Sequence, residues 1–295
     1  MSKNDTFENI KNVPKENNFS FSNSTTYGLG GGAKYAYFPE NITQTVAVYD
    51  FVKHENIKHV ILGKGSNILA SDNFFDGAVI GTKNLKGVYP TGKDSIFCFA
   101  GTSVSYVLKY CVQNGLGGIE YLAGIPASLG GLVYMNGGAG GKFIADNVVS
   151  VEFLDSKIRN LSNKYCHFAH KYSIMRDING IILGTELKLI PQSREKTVEN
   201  IAMFLENRRC QPKGKSCGCV FKNPENVSAG KLIDDVGLKG LTCGGATVSE
   251  CHANFIINNG ATSADVYALI REVKSRVFER TGILLEEEVV YIGDF

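Results

Sequence analysis

No stretch of this sequence holds the roughly twenty consecutive apolar residues that a membrane-spanning helix needs. The opening segment, Met1 to Ser24, is polar and asparagine-rich, without the apolar centre of a secretory signal. A cytoplasmic location with no membrane partner is expected. An excess of either charge is also missing, since 31 lysines and arginines face 29 aspartates and glutamates. That balance excludes recognition of nucleic acid or anionic lipid by bulk charge; it leaves a small molecule as the expected ligand, with no obligate protein partner. Cysteine is present without a pairing pattern. The eight cysteines are spread over a long chain, which reads as reduced thiols. Only Cys217-Gly218-Cys219 is close-spaced, and no second C-x-C or C-x-x-C completes a zinc site, so no metal is expected. A Walker A loop, a complete G-x-G-x-x-G fingerprint and internal repeats are absent as well.

Glycine, by contrast, is concentrated. Gly124-Ile125-Pro126-Ala127-Ser128-Leu129-Gly130-Gly131 is followed by Met135-Asn136-Gly137-Gly138-Ala139-Gly140-Gly141. Glycine gives up the most backbone entropy on folding, so a cluster implies a use: close approach of the backbone to a bulky ligand, or a set of tight turns. A second loop, Gly63-Lys64-Gly65-Ser66-Asn67, follows the short apolar run His59 to Leu62. It offers peptide N–H groups beside Ser and Asn side chains, the chemistry of an anion nest. Two such loops suggest a dinucleotide held between them.

At 295 residues the chain exceeds one typical core, and two or three domains are expected. Residues 1–24 read as a mobile arm. The pattern predicts strands at Tyr35–Phe38, His59–Leu62, Ala78–Ile80, Ile96–Ala100, Val148–Leu154 and Gly180–Leu189. It predicts helices at Thr43–His54, with Thr43 as cap, and from Val104 to a stop at Gly115. A helix from Arg194 to Arg209, with Ile201, Phe204 and Leu205 buried, reads as a connector, and an amphipathic helix from Ser263 to Thr281 stops at Gly282. The fold class is α+β.

The last third carries Cys219-Val220-Phe221-Lys222-Asn223-Pro224, Gly244 to Phe255 with His252 inside it, and Leu285-Glu286-Glu287-Glu288-Val289. A proton donor next to a Lys-Asn pair, with a carboxylate elsewhere, fits acid–base work on a bound substrate. A glutamate run is also commonly a solvated face, and a lone histidine commonly packs or caps.

Taken in order, G-x-G-S-N-x-L, A-G-I-P-x-S-x-G-G, M-N-x-G-A, G-x-x-F-K-N-P, S-A-G-x-L-I-D, G-L-K-G, G-G-A-x-V-S-x-x-H-A-N-F and L-E-x-E-V resemble the UDP-N-acetylenolpyruvoylglucosamine reductase family over about residues 23 to 293, and the length is similar to its compact second type. The resemblance implies a two-lobed FAD-binding fold of the vanillyl-alcohol-oxidase (PCMH) type plus a C-terminal α/β substrate-binding domain. The corresponding division is an arm at 1–24, lobes at 25–84 and 85–193, and a substrate domain at 194–295. It implies a flavoenzyme in which FAD, reduced by NADPH, delivers hydride to C3 of an enolpyruvyl nucleotide sugar, UDP-N-acetylmuramate being the product. Carried over residue by residue, Cys219 is the acid that protonates C2 and Glu288 assists. Gly63, Lys64, Gly65, Ser66, Asn67, Gly124, Ile125, Pro126, Ser128, Gly130, Gly131 and Asn136 face FAD, and Lys222, Asn223 and His252 face substrate.

Five positions depart from the family pattern. Its Tyr-Arg pair falls on His170-Lys171, so Lys171 takes the carboxylate clamp with its charge but without the bidentate fork. Gly140 replaces a tyrosine, and Cys210 and Cys251 replace lysines. These departures fall on the substrate side and leave two other readings open: a flavoprotein reductase of another unsaturated acid or nucleotide sugar, and a flavin-binding protein without catalysis.

Overall fold

A computed structural model describes residues 10–295. Among the described residues the chain forms two compact units, one of residues 10–16, 36–64 and 78–209, the other of 17–35, 65–77 and 210–295.

The first unit contains helix α1 (Ile42–His54), capped by Asn41, whose Oδ1 accepts from the Gln44 N–H at 2.9 Å. Asn41 takes the role expected of Thr43, two residues earlier, because its side-chain carbonyl reaches the N3 amide of Gln44. Strand His59–Leu62 pairs in parallel with the end of Phe75–Gly81. An antiparallel sheet runs in the order Ile158–Ser162, Val148–Leu154, Ile181–Lys188, Ser95–Phe99, Val88–Pro90. Successive residues of a strand point to opposite faces, and here both faces are covered. Ile181, Leu183 and Leu154 join Val48, Tyr49 and Val52 of α1. Ile182, Leu187, Val151 and Phe153 join Val104, Val107, Leu108 and Cys111 of α2 (Val104–Gln113), and Leu129, Leu132 and Val133 of α3 (Leu129–Tyr134). Double coverage explains why these strands read as continuous apolar runs.

Helix α4 (Arg194–Glu206) packs in this unit, against α2 and the turn Glu120–Leu122. It buries Thr197, with Ile201 and Phe204 packed on the core, and leaves Leu205 exposed, contrary to expectation. Positions 197, 201 and 204 define the centre of the apolar stripe, and residue 205, about 80° round from 197 and about 100° from 204, lies at its margin.

The second unit contains α5 (Ala229–Asp235) and α6 (Ser263–Thr281). A capping box of Thr262 and Asp265 starts α6, and Gly282 ends it at φ +71°. The Asp72 carboxylate accepts from the Ser263 N–H at 2.8 Å. Strands Thr242–Cys243, Ala246–Val248 and Ile256–Asn258 form an antiparallel sheet, and Val290–Ile292 pairs in parallel with Ile68–Ala70. Tyr27, Leu29 and Leu69 share a core with Phe221, Val266 and Ile270. That packing draws residues 17–35 and 65–77 into the C-terminal unit, so the division differs from one that follows chain order.

Of the expected arm, residues 1–9 lie outside the described residues. Residues 10–24 are packed: Ile10 and Val13 enter the core of the first unit, and Phe19 and Phe21 are buried in the second with ring centroids 5.1 Å apart. Four apolar side chains in a polar segment are enough to anchor it, because each buried side chain contributes roughly 1.5–3 kcal/mol.

Candidate functional site

In the second unit, three segments lie side by side and bring Cys219 and Glu288 together. The central one is 219–222. On one flank, Val220 N–H donates to the Asn254 carbonyl at 2.9 Å, and Cys219 bridges Phe255. On the other, Glu288 N–H donates to the Val220 carbonyl at 2.7 Å, Lys222 N–H to the Glu286 carbonyl at 2.8 Å, and Phe221 bridges Glu287. Asn254, almost fully buried, closes the arrangement: its Oδ1 accepts from the Phe221 N–H at 2.9 Å and its Nδ2 donates to the Phe221 carbonyl at 2.8 Å. Cys219 and Glu288 are both half-buried. Beside them Cys217 is buried, and burial pushes its thiol up to about 12, so that it stays protonated at neutral pH.

The structure separates the roles expected of the neighbouring residues. Asn67, assigned to the cofactor, donates from Nδ2 to the Glu288 carbonyl at 2.9 Å and so helps hold the glutamate. Lys222 pairs with Glu286, and the Asn223 Oδ1 accepts from the Ala229 N–H at 3.0 Å, at the start of α5. His252 is packed on Phe255, with ring centroids 5.0 Å apart, and its Nδ1 accepts from the Asn254 N–H at 3.3 Å. Burial holds it below the ordinary histidine value of 6.5. The glycine at 65 answers to the chain itself, since a Cβ there would lie 2.3 Å from the Ser24 carbonyl oxygen. Ser66 is half-buried in the same loop.

In the first unit, the other half of that loop and the glycine-rich segment line one cavity of about 620 Å³. Segment 125–130 is held against 100–104: Leu129 N–H donates to the Thr102 carbonyl and Gly130 N–H to the Ala100 carbonyl, both at 2.8 Å. Ser128 thereby reaches Gly63, where a Cβ would lie 2.4 Å from its Oγ. That Oγ is buried and has no hydrogen-bond partner, an arrangement that costs free energy unless a ligand completes it. Gly63, Lys64, Gly87, Thr102 and Ser103 line the cavity with it, as do Lys83, Lys86 and the exposed ring of Tyr106. Among the described residues Lys64 and Lys86 have no carboxylate partner, whereas Lys83 pairs with Glu16 and covers the Phe38 ring. Hydroxyls, peptide N–H groups and unpaired ammoniums around one hollow suit an anion such as a diphosphate. Thr102, Ser103, Lys83, Lys86 and Tyr106 escaped sequence reasoning because lysines and a helix-borne tyrosine carry no loop signature.

Gly124 and Pro126 are exposed, Ile125 packs partly on the core, and Gly130 and Gly131 lie in α3. A Cβ on Gly130 would lie 2.8 Å from the Ala100 Cβ, so protein packing accounts for that glycine. Gly140 and Gly141 have φ of +62° and +78° with open space around them, and they turn the hairpin joining Gly138–Ala139 to Lys142–Phe143. They serve a turn. Asn136, expected to face the cofactor, is buried with its amide committed to the protein: Nδ2 donates to the Ala169 carbonyl at 2.8 Å, and Oδ1 accepts from the Ala145 N–H at 3.2 Å. Lys171, half-buried, lies in the loop that Asn136 holds.

Comparison with known proteins completes these observations. A family model described as "UDP-N-acetylenolpyruvoylglucosamine reductase, C-terminal domain" matches residues 211–292, and an "FAD binding domain" model matches residues 33–157. The UDP-N-acetylenolpyruvoylglucosamine reductase of Protochlamydia amoebophila is 40% identical over 278 residues, covering 91% of this chain and 90% of its own. That of Prochlorococcus marinus is 35% identical, covering 96% of this chain and all of its own. The crystal structure of the UDP-N-acetylenolpyruvylglucosamine reductase (MurB) from Thermus caldophilus superimposes with a TM-score of 0.79 at 33% identity, covering 95% of this chain and all of that one.

Two outcomes follow from the geometry. Asn254→Ala removes both bonds to the Phe221 peptide and should destabilise the protein by about 2–3 kcal/mol in denaturant titration, because buried peptide groups are left unpaired. As pH falls below about 6.5, the unfolded chain takes up a proton before the buried His252 does, so stability should decline. Melting temperatures recorded from pH 7.5 to 5 should show less of that decline for His252→Gln.

Proposed function

This chain belongs to the UDP-N-acetylenolpyruvoylglucosamine reductase family, and on that premise we propose how its residues carry out the reaction. It is an FAD-dependent oxidoreductase that reduces UDP-N-acetylglucosamine enolpyruvate to UDP-N-acetylmuramate with NADPH, a step in peptidoglycan precursor synthesis. No helix among the described residues is long and apolar enough to cross a membrane, and the NADPH and nucleotide-sugar substrates point to work in the cytoplasm.

FAD fits the first unit. Its anionic part is assigned to the cavity holding the orphaned Ser128 hydroxyl, Lys64 and Lys86. Bound there, FAD would supply hydride transfer between NADPH and C3 of the enolpyruvyl group. The protein's share is to meet the negative charge that then develops on the carboxylate side of the substrate, and to deliver a proton to C2. Lys171 is assigned to the carboxylate as a point charge. Cys219 is assigned to the proton: its S–H bond breaks as the C2–H bond forms, and the resulting thiolate regains a proton from water. A thiol serves as acid only while protonated. Glu288, with its backbone tied to Val220 and Asn67, stands beside that thiol's segment and is assigned to assist. Lys222, Asn223 and His252 shape the substrate side, His252 by packing. The observation that carries these roles is the bonded alignment of 219–222 with 286–288, which gives an acid and a carboxylate a fixed spacing.

The direct test mixes protein, NADPH and UDP-N-acetylglucosamine enolpyruvate while flavin absorbance and NADPH loss are followed. Cys219→Ala should keep flavin reduction by NADPH and lose product formation, and Cys219→Ser should restore part of it. Unchanged turnover in the alanine variant would remove Cys219 from this role. Lys64→Glu combined with Lys86→Glu should weaken FAD binding by about tenfold or more at low salt, and less at high salt, where exposed charges are screened. Flavin fluorescence titration reads this without turnover.

A further inference from the structure

Lys171 stands in a loop under unusual conformational demands. Its φ is +56° and that of His167 is +44°, both in the left-handed region that residues with a Cβ seldom adopt. Side chains tie this loop down. Asn136 Nδ2 donates to the Ala169 carbonyl at 2.8 Å, and the Ser173 hydroxyl donates to the Tyr134 carbonyl at 2.7 Å. The Tyr172 hydroxyl donates to Asp177 at 2.5 Å. The fourth tie reaches residue 171 itself: Arg176 Nη1 donates to the Lys171 carbonyl at 2.7 Å. Arg176 is half-buried at the end of the short turn Ile174–Arg176, and a guanidinium–carbonyl bond is charge-assisted and therefore stronger than a neutral one.

We propose that Arg176 is a positioning residue that grips the Lys171 carbonyl, holds that residue in its left-handed conformation, and so sets where the ammonium is presented to the substrate carboxylate. The inference rests on the carboxylate role of Lys171. A lysine has no rigid fork, and its four-carbon stem gives it little orientation of its own. The backbone that carries it, which the Arg176 bond restrains, fixes the point from which that stem extends. The guanidinium thus acts on the substrate's carboxylate through residue 171 rather than by touching it.

The test is a double-mutant cycle on the holoenzyme with Arg176→Met, Lys171→Met and the pair, and with Arg176→Lys and the milder Arg176→Gln in parallel. Steady-state kinetics with UDP-N-acetylglucosamine enolpyruvate are read beside stopped-flow flavin reduction by NADPH. Arg176→Met should raise the KM for the enolpyruvyl substrate about tenfold while the flavin-reduction rate and bound FAD stay at wild-type values. Arg176→Lys, still able to donate one charged bond, should recover most of the loss. The double variant should be no worse than Lys171→Met alone. An unchanged KM in Arg176→Met and Arg176→Gln, where Lys171→Met raises it, overturns the proposal, as do additive effects in the pair. Flavin reduction falling together with substrate binding marks a general structural role and overturns it too. A normal KM in Lys171→Met is a separate failure, that of the carboxylate role.

Discussion

The two hydrogen bonds between the Asn254 side chain and the Phe221 peptide are the interaction on which segment 219–222 depends. A buried peptide group has no water to turn to, so its N–H and carbonyl must find partners within the fold. Asn254 supplies both for Phe221, while the Asn254 carbonyl takes the Val220 N–H. Segment 219–222 is thereby bonded on one flank to 254–255 and on the other to 286–288. Cys219 and Glu288 consequently owe their spacing to peptide geometry. Side-chain rotamers adjust within that frame.

The first unit follows a different logic, in which polar groups are divided between those that hold the chain and those that await a ligand. The loop bearing Lys171 uses its polar groups on the protein: Asn136, Ser173, Tyr172 and Arg176 all bond within it or to its neighbours. The cavity floor does the reverse, with the Ser128 hydroxyl buried and unpartnered next to Gly63. An unsatisfied buried hydroxyl is costly, and the neighbouring lysines give the same cavity a positive charge. One contrast therefore separates a cavity with an unpartnered hydroxyl from a loop whose polar side chains are bonded to the protein.

Much of the fold was legible in the sequence where the signal is local. Helix Ser263–Thr281 and strand Val148–Leu154 form with the expected bounds, because a capping box, a left-handed glycine and an apolar period act within a few residues. Leu205 follows the same period but lies at the margin of the stripe set by 197, 201 and 204, where the fold leaves it exposed. The glycines were legible as a demand for space but not for its cause. Gly63 stands against Ser128 in the cavity wall, Gly65 meets the Ser24 backbone, and Gly140 and Gly141 turn a hairpin. Phe19 and Phe21 were hidden in a segment whose average polarity suggested an arm, yet two rings are enough to bury it.

The order of the motifs alone determined the family and its flavin chemistry, because motif order and residue type survive without knowledge of contacts. Tertiary structure decided which polar side chains face a ligand and which hold the chain. Asn67 and Asn136 resemble cofactor ligands in the sequence but bond to Glu288 and Ala169, 221 and 33 residues away. Lys83, Lys86 and Tyr106, unmarked in the sequence, line the cavity. A hydrogen bond forms with whatever partner folding brings within about 3 Å, and over such separations only the folded chain settles which partner that is.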